Sequence, residues 1–314
     1  MNVKYSKSVI IIVILIILGI VVYQFTKPQN IKKDIDILLF FTDKNSMYLI
    51  PVTKKITIST SIDNPDKIED LNSIIKNLLK DIPHKNLYSP FPENTKIVWI
   101  KKEQNNVNVK LDINGANVGS NTEELMFISI VNTLTSIPGI EKVKLNFISK
   151  TQMQMDYDQF YNRPEYLNSW YYTESLDNEN VFKTATLYWK VPETNFLVPI
   201  NLPVKELTPL KLLTLLQELP ITVSKKSLEA SVPLSWKLNV LKIKGKKIWL
   251  EIILPLNESI EQIKLSIKAI VNTLADLSIE EINFSYKPKI KNLPKKYFNL
   301  KQYDIRRLKE LNIL

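Results

Sequence analysis

The sequence predicts an α+β protein: an N-terminal transmembrane helix followed by two tandem, duplicated small α/β sandwich domains. Three observations predict it. An uncharged apolar stretch runs from Val9 to Phe25. The pentapeptide Ile130-Val131-Asn132-Thr133-Leu134 recurs as Ile270-Val271-Asn272-Thr273-Leu274. Around both copies, strand-like and helix-like patterns follow in one order, β-β-α-β-β-α-β. The 314 residues suit about two domains. The expected divisions are 1–27 as a cytoplasmic stub and anchor, 28–150 and 184–287 as the copies, 151–183 as a linker and 288–314 as a basic tail.

The apolar stretch is long enough to cross the ~30 Å hydrocarbon core with help from its flanks. Tyr5, Tyr23 and Phe25 suit the interfaces, and Lys4, Lys7 and Lys27 can snorkel. A cleaved signal peptide would end at a small-x-small site, and Val-Val-Tyr-Gln-Phe offers none. The expectation is therefore an uncleaved signal anchor in the cell membrane, single-pass, with the body outside the cytoplasm.

The duplication extends well beyond the pentapeptide. Leu39-Phe40-Phe41 followed by Tyr48-Leu49-Ile50-Pro51-Val52 matches Leu187-Tyr188-Trp189 followed by Phe196-Leu197-Val198-Pro199-Ile200. Leu78-Leu79 before Pro83 matches Leu215-Leu216 before Pro220, and Val107, Val109 and Leu111 match Ile248, Leu250 and Ile252.

Each copy should open with a strand, Ile35 to Phe41 or Thr184 to Lys190, and a second apolar stretch. Asn64-Pro65 and Thr208-Pro209 each place a capping residue before a proline, predicting a helix start. Ile68, Leu71, Ile74, Ile75, Leu78 and Leu79 make a helical stripe in the first copy. Alternating stretches at Lys96–Lys101 with Val107–Leu111, and Lys237–Ile243 with Ile248–Ile252, predict hairpins turning at Asn105-Asn106 and at Lys244-Gly245-Lys246. Ser120 with Glu123, and Ser259 with Gln262, read as capping boxes of second helices ending near Ser136 and Asp276. Last strands at Val143–Ile148 and Glu281–Tyr286 complete a sheet with helices on one face.

The linker is rich in aromatics between Tyr157 and Phe182, which suit either a partner-binding strip or side chains buried against the two domains. Lysine and arginine crowd the tail from Lys287 to Lys309, within a net charge of +10. A charge run of this kind is usually solvated, with a patch for anionic lipid or nucleic acid as the alternative.

Composition excludes much chemistry. There is no cysteine, so disulfides, thiolate zinc sites and thiol nucleophiles are excluded, and only five glycines argue against phosphate-cradling loops. His84 is the one histidine, in a loop after Pro83, so a triad or zinc site lacks parts. Glu123 is explained by capping, and Glu124, Glu280 and Glu281 by an exposed face, in preference to acid–base work. Asn132 and Asn272 are expected to bond a neighbouring strand's free backbone from within their helices. No catalytic, cofactor-binding or metal residue is expected, and the protein is expected not to be an enzyme.

The residues from Leu38 to Phe147 resemble the GerMN domain of sporulation and spore-germination proteins. The likeness is carried by Leu78-Leu79 before Pro83, by Pro92-Glu93-Asn94-Thr95-Lys96 before a strand, and by Val107-x-Val109-x-Leu111-Asp112. Gly119-Ser120, the pentapeptide, and Pro138-Gly139-Ile140 before Val143 complete it. The second copy is more divergent, with Ser259 near the Gly119 position and no Pro-Gly after its pentapeptide. The two-copy arrangement is similar to the GerM sporulation proteins of endospore-forming bacteria. That resemblance implies domains like ring-building motifs and a scaffold or assembly role at the mother cell–forespore boundary. It implies other membrane-complex sporulation proteins as partners, in a homo- or hetero-oligomer; membrane contact is expected through the N-terminal helix, and no nucleic acid is expected. Such relatives are often lipoproteins, whereas this chain has no cysteine and would use its hydrophobic anchor instead. A binding module for cell-wall glycan or lipid is the alternative, and a carboxylate hydrolase is the third class.

Overall fold

The computed structural model describes residues 16–18, 32–58, 67–80, 87–113, 119–149, 159–162, 168, 183–218, 228–290, 293–298 and 305–313. Most of the expected membrane span, Asn64-Pro65, His84 and most linker aromatics lie outside them. Among the described residues, no helix is long and apolar enough to cross a membrane.

The first copy runs β1 (Lys33–Thr42), β2 (Leu49–Ile58), α1 (Ile68–Leu79), β3 (Lys96–Glu103), β4 (Asn106–Asp112), α2 (Ser120–Thr135) and β5 (Lys142–Ile148). The second repeats the order with β6 (Lys183–Lys190), β7 (Leu197–Val204), α3 (Pro209–Gln217), β8 (Lys237–Lys244), β9 (Lys247–Ile253), α4 (Ile260–Ala275) and β10 (Glu281–Lys287). The two pentapeptides occupy the same positions of equivalent helices, since α2 and α4 are both 16 residues long and begin ten residues before Ile130 and Ile270.

The strands do not form one sheet per copy. β1–β2 and β6–β7 are separate antiparallel hairpins, while β3-β4-β5 and β8-β9-β10 are sheets whose last pair is parallel. Proline supplies a reason on one side: Pro51 and Pro199 sit in β2 and β7 and cannot donate to a further ladder. Both helices of each copy pack on this framework. Leu71, Ile74, Ile75 and Leu78 bury the stripe of α1, and Ile130, Val131 and Leu134 bury that of α2.

Helix starts divide between expectation and correction. Thr208 caps α3 by accepting from Lys211 N at 3.3 Å, with Pro209 at the first helical position. Ser259 caps α4 by accepting from Gln262 N at 3.1 Å. The Gln262 amide does not reach back, however, and instead donates to Ser231 O and Ser266 Oγ. In the first copy the caps are displaced. α1 starts at Ile68 after an uncapped Lys67, beyond Asn64-Pro65, and α2 is preceded by Gly119, leaving Ser120 as its first residue without a side-chain cap. Glu123 is buried one turn in. The hairpin turns are Gln104-Asn105 and Gly245-Lys246, each with positive φ at its first residue (53° and 56°).

The basic tail is part of the fold and not a free solvated segment. β11 (Lys296–Phe298) pairs antiparallel with β10, and α5 (Ile305–Leu311) packs on β1 and β2 of the first copy. Leu308 and Leu311 are buried there, and full burial of such a side chain contributes about 1.5–3 kcal/mol. The linker does the same in brief: Tyr161 pairs with Val143, as Tyr297 of β11 pairs with Ile282, and meets Phe127 edge-on at 4.5 Å. Linker and tail are thus corresponding parts of a longer repeat.

Candidate interaction surfaces

The junction between the copies is built from backbone that the prolines leave open. Asn168, from the linker, accepts from Leu49 N at 2.7 Å and donates to Leu49 O and Pro199 O, both at 2.9 Å. Its own carbonyl accepts from Asn201 N at 2.8 Å. Asn312, from the tail, accepts from Leu197 N at 2.9 Å and donates to Leu197 O and Pro51 O, both at 2.8 Å. Its carbonyl accepts from Thr53 N at 2.7 Å. Exchanging Leu49 with Leu197, Pro51 with Pro199 and Thr53 with Asn201 converts one set of bonds into the other. The copies are therefore related by a local twofold, with β2 and β7 running antiparallel across it. Each asparagine amide acts as an inserted peptide group between edges that cannot pair directly.

Apolar packing follows the same symmetry. Leu38, Phe40, Leu49 and Leu125 of the first copy meet Tyr188, Leu197, Leu265 and Ala269 of the second, with Leu308 and Leu311 of α5 completing the cluster. Lys268 of α4 donates to Glu310 O at 3.1 Å and Leu311 O at 2.9 Å, neutralising the end of α5. Burial pushes its pKa below the usual lysine range.

The outward surfaces are the polar faces of the two sheets. Each carries a half-exposed tryptophan under a lysine: Lys101 Nζ lies 5.1 Å from the Trp99 ring centre, and Lys242 Nζ lies 5.6 Å from that of Trp249. β3 and β8 are open edges, and both are bulged, between Ile97 and Trp99 and between Val240 and Lys242. The bulged residues Val98 and Leu241 are exposed. Bulges and edge lysines blunt a strand against simple strand addition, which favours recognition by the sheet faces. Between α1 and β3 lies an open groove of about 750 Å³, lined by Asn72, Lys76, Glu93, Thr95 and Trp99 among others.

The residues weighed for chemistry are dispersed. Glu124 is exposed, and Glu280 pairs with Lys246 at the rim of the second sheet. Glu281 departs from the expected exposed face: it lies under Lys247 at 2.9 Å and Lys296 at 3.0 Å and ties β9 and β11 to β10. Hydrogen bonds from Asn283 and from these lysines hold its pKa at about 2. Among the described residues, no group of three or more histidine, aspartate or glutamate side chains is placed to hold a metal ion. Asn132 and Asn272 also differ from expectation. They donate to Ile128 O and Lys268 O one turn back in their own helices. The neighbouring Thr133 and Thr273 hydroxyls are buried without a hydrogen-bond partner in both copies. Composition alone did not single out Asn168 and Asn312. The available signal was the dipeptide Leu167-Asn168 in the linker, repeated as Leu311-Asn312 in the tail.

The model of the Germane family, described as sporulation and spore germination, matches residues 38–150. The match falls on residues of the first copy. No curated protein matches. The tandem GerMN domains of the sporulation protein GerM from Bacillus subtilis are similar in fold, at 14% identity and a TM-score of 0.52, covering 87% of this chain and 100% of that one. The first GerMN domain of the same protein matches at 16% identity and a TM-score of 0.26, over 40% of this chain and 89% of that one. A putative lipoprotein from Clostridium perfringens matches at 20% identity and a TM-score of 0.27, over 41% and 88%. The first copy is thus similar to the Germane domain, and the tandem α+β fold is similar to that of paired GerMN domains.

Proposed function

We propose that this protein is a non-enzymatic, membrane-anchored scaffold of an extracytoplasmic sporulation complex at the mother cell–forespore boundary. The observation that carries the reading is the junction. Two copies fixed by Asn168 and Asn312 present their tryptophan–lysine sheet faces at a constant mutual geometry, which suits holding partners more than turning over a substrate. The apolar segment from Val9 to Phe25 supplies the anchor, and Ile16, Ile17 and Leu18 within it are helical and exposed. Other membrane proteins of the complex, bound as a homo- or hetero-oligomer, are the partners.

The test pairs sporulation counts with fluorescence localisation of a partner complex. Lys101→Glu with Lys242→Glu should lower spore yield at least tenfold and disperse the complex, while His84→Ala and Glu124→Ala should stay close to wild type. Loss of spores in Glu124→Ala with folding and localisation intact would overturn the scaffold reading and return catalysis.

One observation favours a second reading. Trp99 lines the groove between α1 and β3 beside Asn72, Glu93 and Thr95, a combination that suits a cell-wall glycan. Co-sedimentation with peptidoglycan that Trp99→Ala abolishes would support it.

A further inference from the structure

We infer that one end of the second copy, carrying Leu234, Leu256 and Ile260, rests in the interface of the membrane that the N-terminal segment enters. The inference rests on the anchor reading above. Leu256 and Leu234 are the most exposed large apolar side chains among the described residues, at 88% and 69%, and Ile260 beside them is 46% accessible. Contacts bring them to one place. Lys237 at the start of β8 pairs with Ile253 at the end of β9, so the loops holding Leu234 and Leu256 meet. Trp236 Nε1 donates to Glu258 Oε2 at 2.7 Å, and Gln262 Nε2 donates to Ser231 O at 3.2 Å, fixing both loops to the start of α4. Lys237, Lys264 and Lys289 are exposed around this end, as cations beside an anionic lipid surface would be.

The first copy lacks the feature. The turn Pro233-Leu234-Ser235-Trp236, closed by a 3.1 Å bond from Trp236 N to Pro233 O, corresponds to Pro92-Glu93-Asn94-Thr95, closed by a 3.0 Å bond from Thr95 N to Pro92 O. There Glu93 stands for Leu234, and Ser120 stands for Ile260. The difference has a direction. β1 begins at Lys33, paired with Ile58 at the end of β2, so the chain enters the first copy at that end. Because β2 and β7 run antiparallel across the junction, this end lies on the same side as the start of β7. The Lys190–Glu229 bridge, with a backbone bond of 2.9 Å, places the loop before β8 there too. The apolar tip and the entry point of the anchored chain thus share one side, and the polar tip of the first copy faces away. From Phe25 to Lys33 the chain can span at most about 28 Å, which keeps the body close to the bilayer.

The native absence of cysteine makes the test direct. Leu256→Cys in the full chain is labelled with a solvatochromic fluorophore and reconstituted with phosphatidylcholine vesicles, with and without phosphatidylglycerol. Leu234→Cys serves as a second site and Glu93→Cys as the opposite tip. Flotation reads the anchor, and emission with a lipid-borne quencher reads the tip. The expected result is flotation, with blue-shifted emission quenched several-fold at 256 and 234 and water-like emission at 93. Flotation with water-like emission at 256 and 234 would overturn the inference and leave the anchor standing. No flotation, but a quenched label at high vesicle concentration, would keep the tip and remove the anchor. No flotation with an unquenched label would remove both. A blue-shifted label that the lipid-borne quencher does not reach would assign the tip to a protein surface and overturn the inference.

Discussion

Replacing Asn312 tests the junction most directly. Its side chain is 2% exposed and makes three hydrogen bonds to the backbone of both copies. Asn312→Ala strands Leu197 N–H, Leu197 C=O and Pro51 C=O at a site with little room for water. Each buried unsatisfied group costs about 1–3 kcal/mol, and relaxation recovers part of the sum, so a net loss of about 3 kcal/mol is expected. Asn312→Asp should be worse than Ala. It keeps the acceptor for Leu197 N but turns a donor into a charged oxygen facing two carbonyls. The assay is urea unfolding in mild detergent, followed by the fluorescence of buried Trp189, with stability taken from the midpoint and slope. Asn168→Ala should cost a similar amount, and the double variant should deviate from additivity because one interface is shared. An Asn312→Ala protein within about 0.5 kcal/mol of wild type would refute the bridging role, as would an aspartate variant more stable than the alanine one.

Other outcomes follow from single observations. Thr133→Val and Thr273→Val remove buried hydroxyls that lack partners, so each should raise stability by about 1 kcal/mol in thermal unfolding. Glu281 has a folded pKa depressed from 4.5 to about 2, so its contribution is complete above pH 4.5 and lost as the pH falls toward 2. Glu281→Gln should therefore lower the urea midpoint near neutrality, with the gap to wild type narrowing through that acid window. Trp189→Phe removes the 3.0 Å bond from Nε1 to Leu215 O inside a packed core and should cost about 1–3 kcal/mol by urea unfolding.

Much of the architecture was legible because hydrophobic period and turn chemistry are local properties. Strand limits around Ile35–Phe41 and Val107–Leu111, and the Thr208-Pro209 start, emerged within two residues of their observed places. The first-copy caps are not legible, because a Ser-x-x-Glu string does not reveal that the preceding Gly119 takes the cap position. The Asn132 and Asn272 amides reach the carbonyl one turn back, a partner that any helical residue has and that a sequence does not rank against others. The junction was hidden for a different reason. Asn168 sits in a polar, aromatic segment and Asn312 in a basic, leucine-rich one, and their bonds reach 119 and 115 residues along the chain to Leu49 and Leu197. No window of sequence contains both ends of such a contact. The lysines from Lys287 to Lys309 drew attention to charge, while the tail was held by its leucines and one asparagine.

The local twofold has a bearing on how the two copies can change. In a homodimer with such an isologous contact, every substitution appears on both sides of the axis, so an unfavourable one is felt twice. Joined in a single chain, the sides accept substitutions one at a time. Ser129 donates to Phe40 O at 2.6 Å, while its counterpart Ala269 packs as plain apolar surface against the same cluster. Thr53 and Asn201 offer the same backbone donor from unlike side chains. Covalent linkage thus releases each half from matching the other, so the two ends of one symmetric body can take up different surroundings.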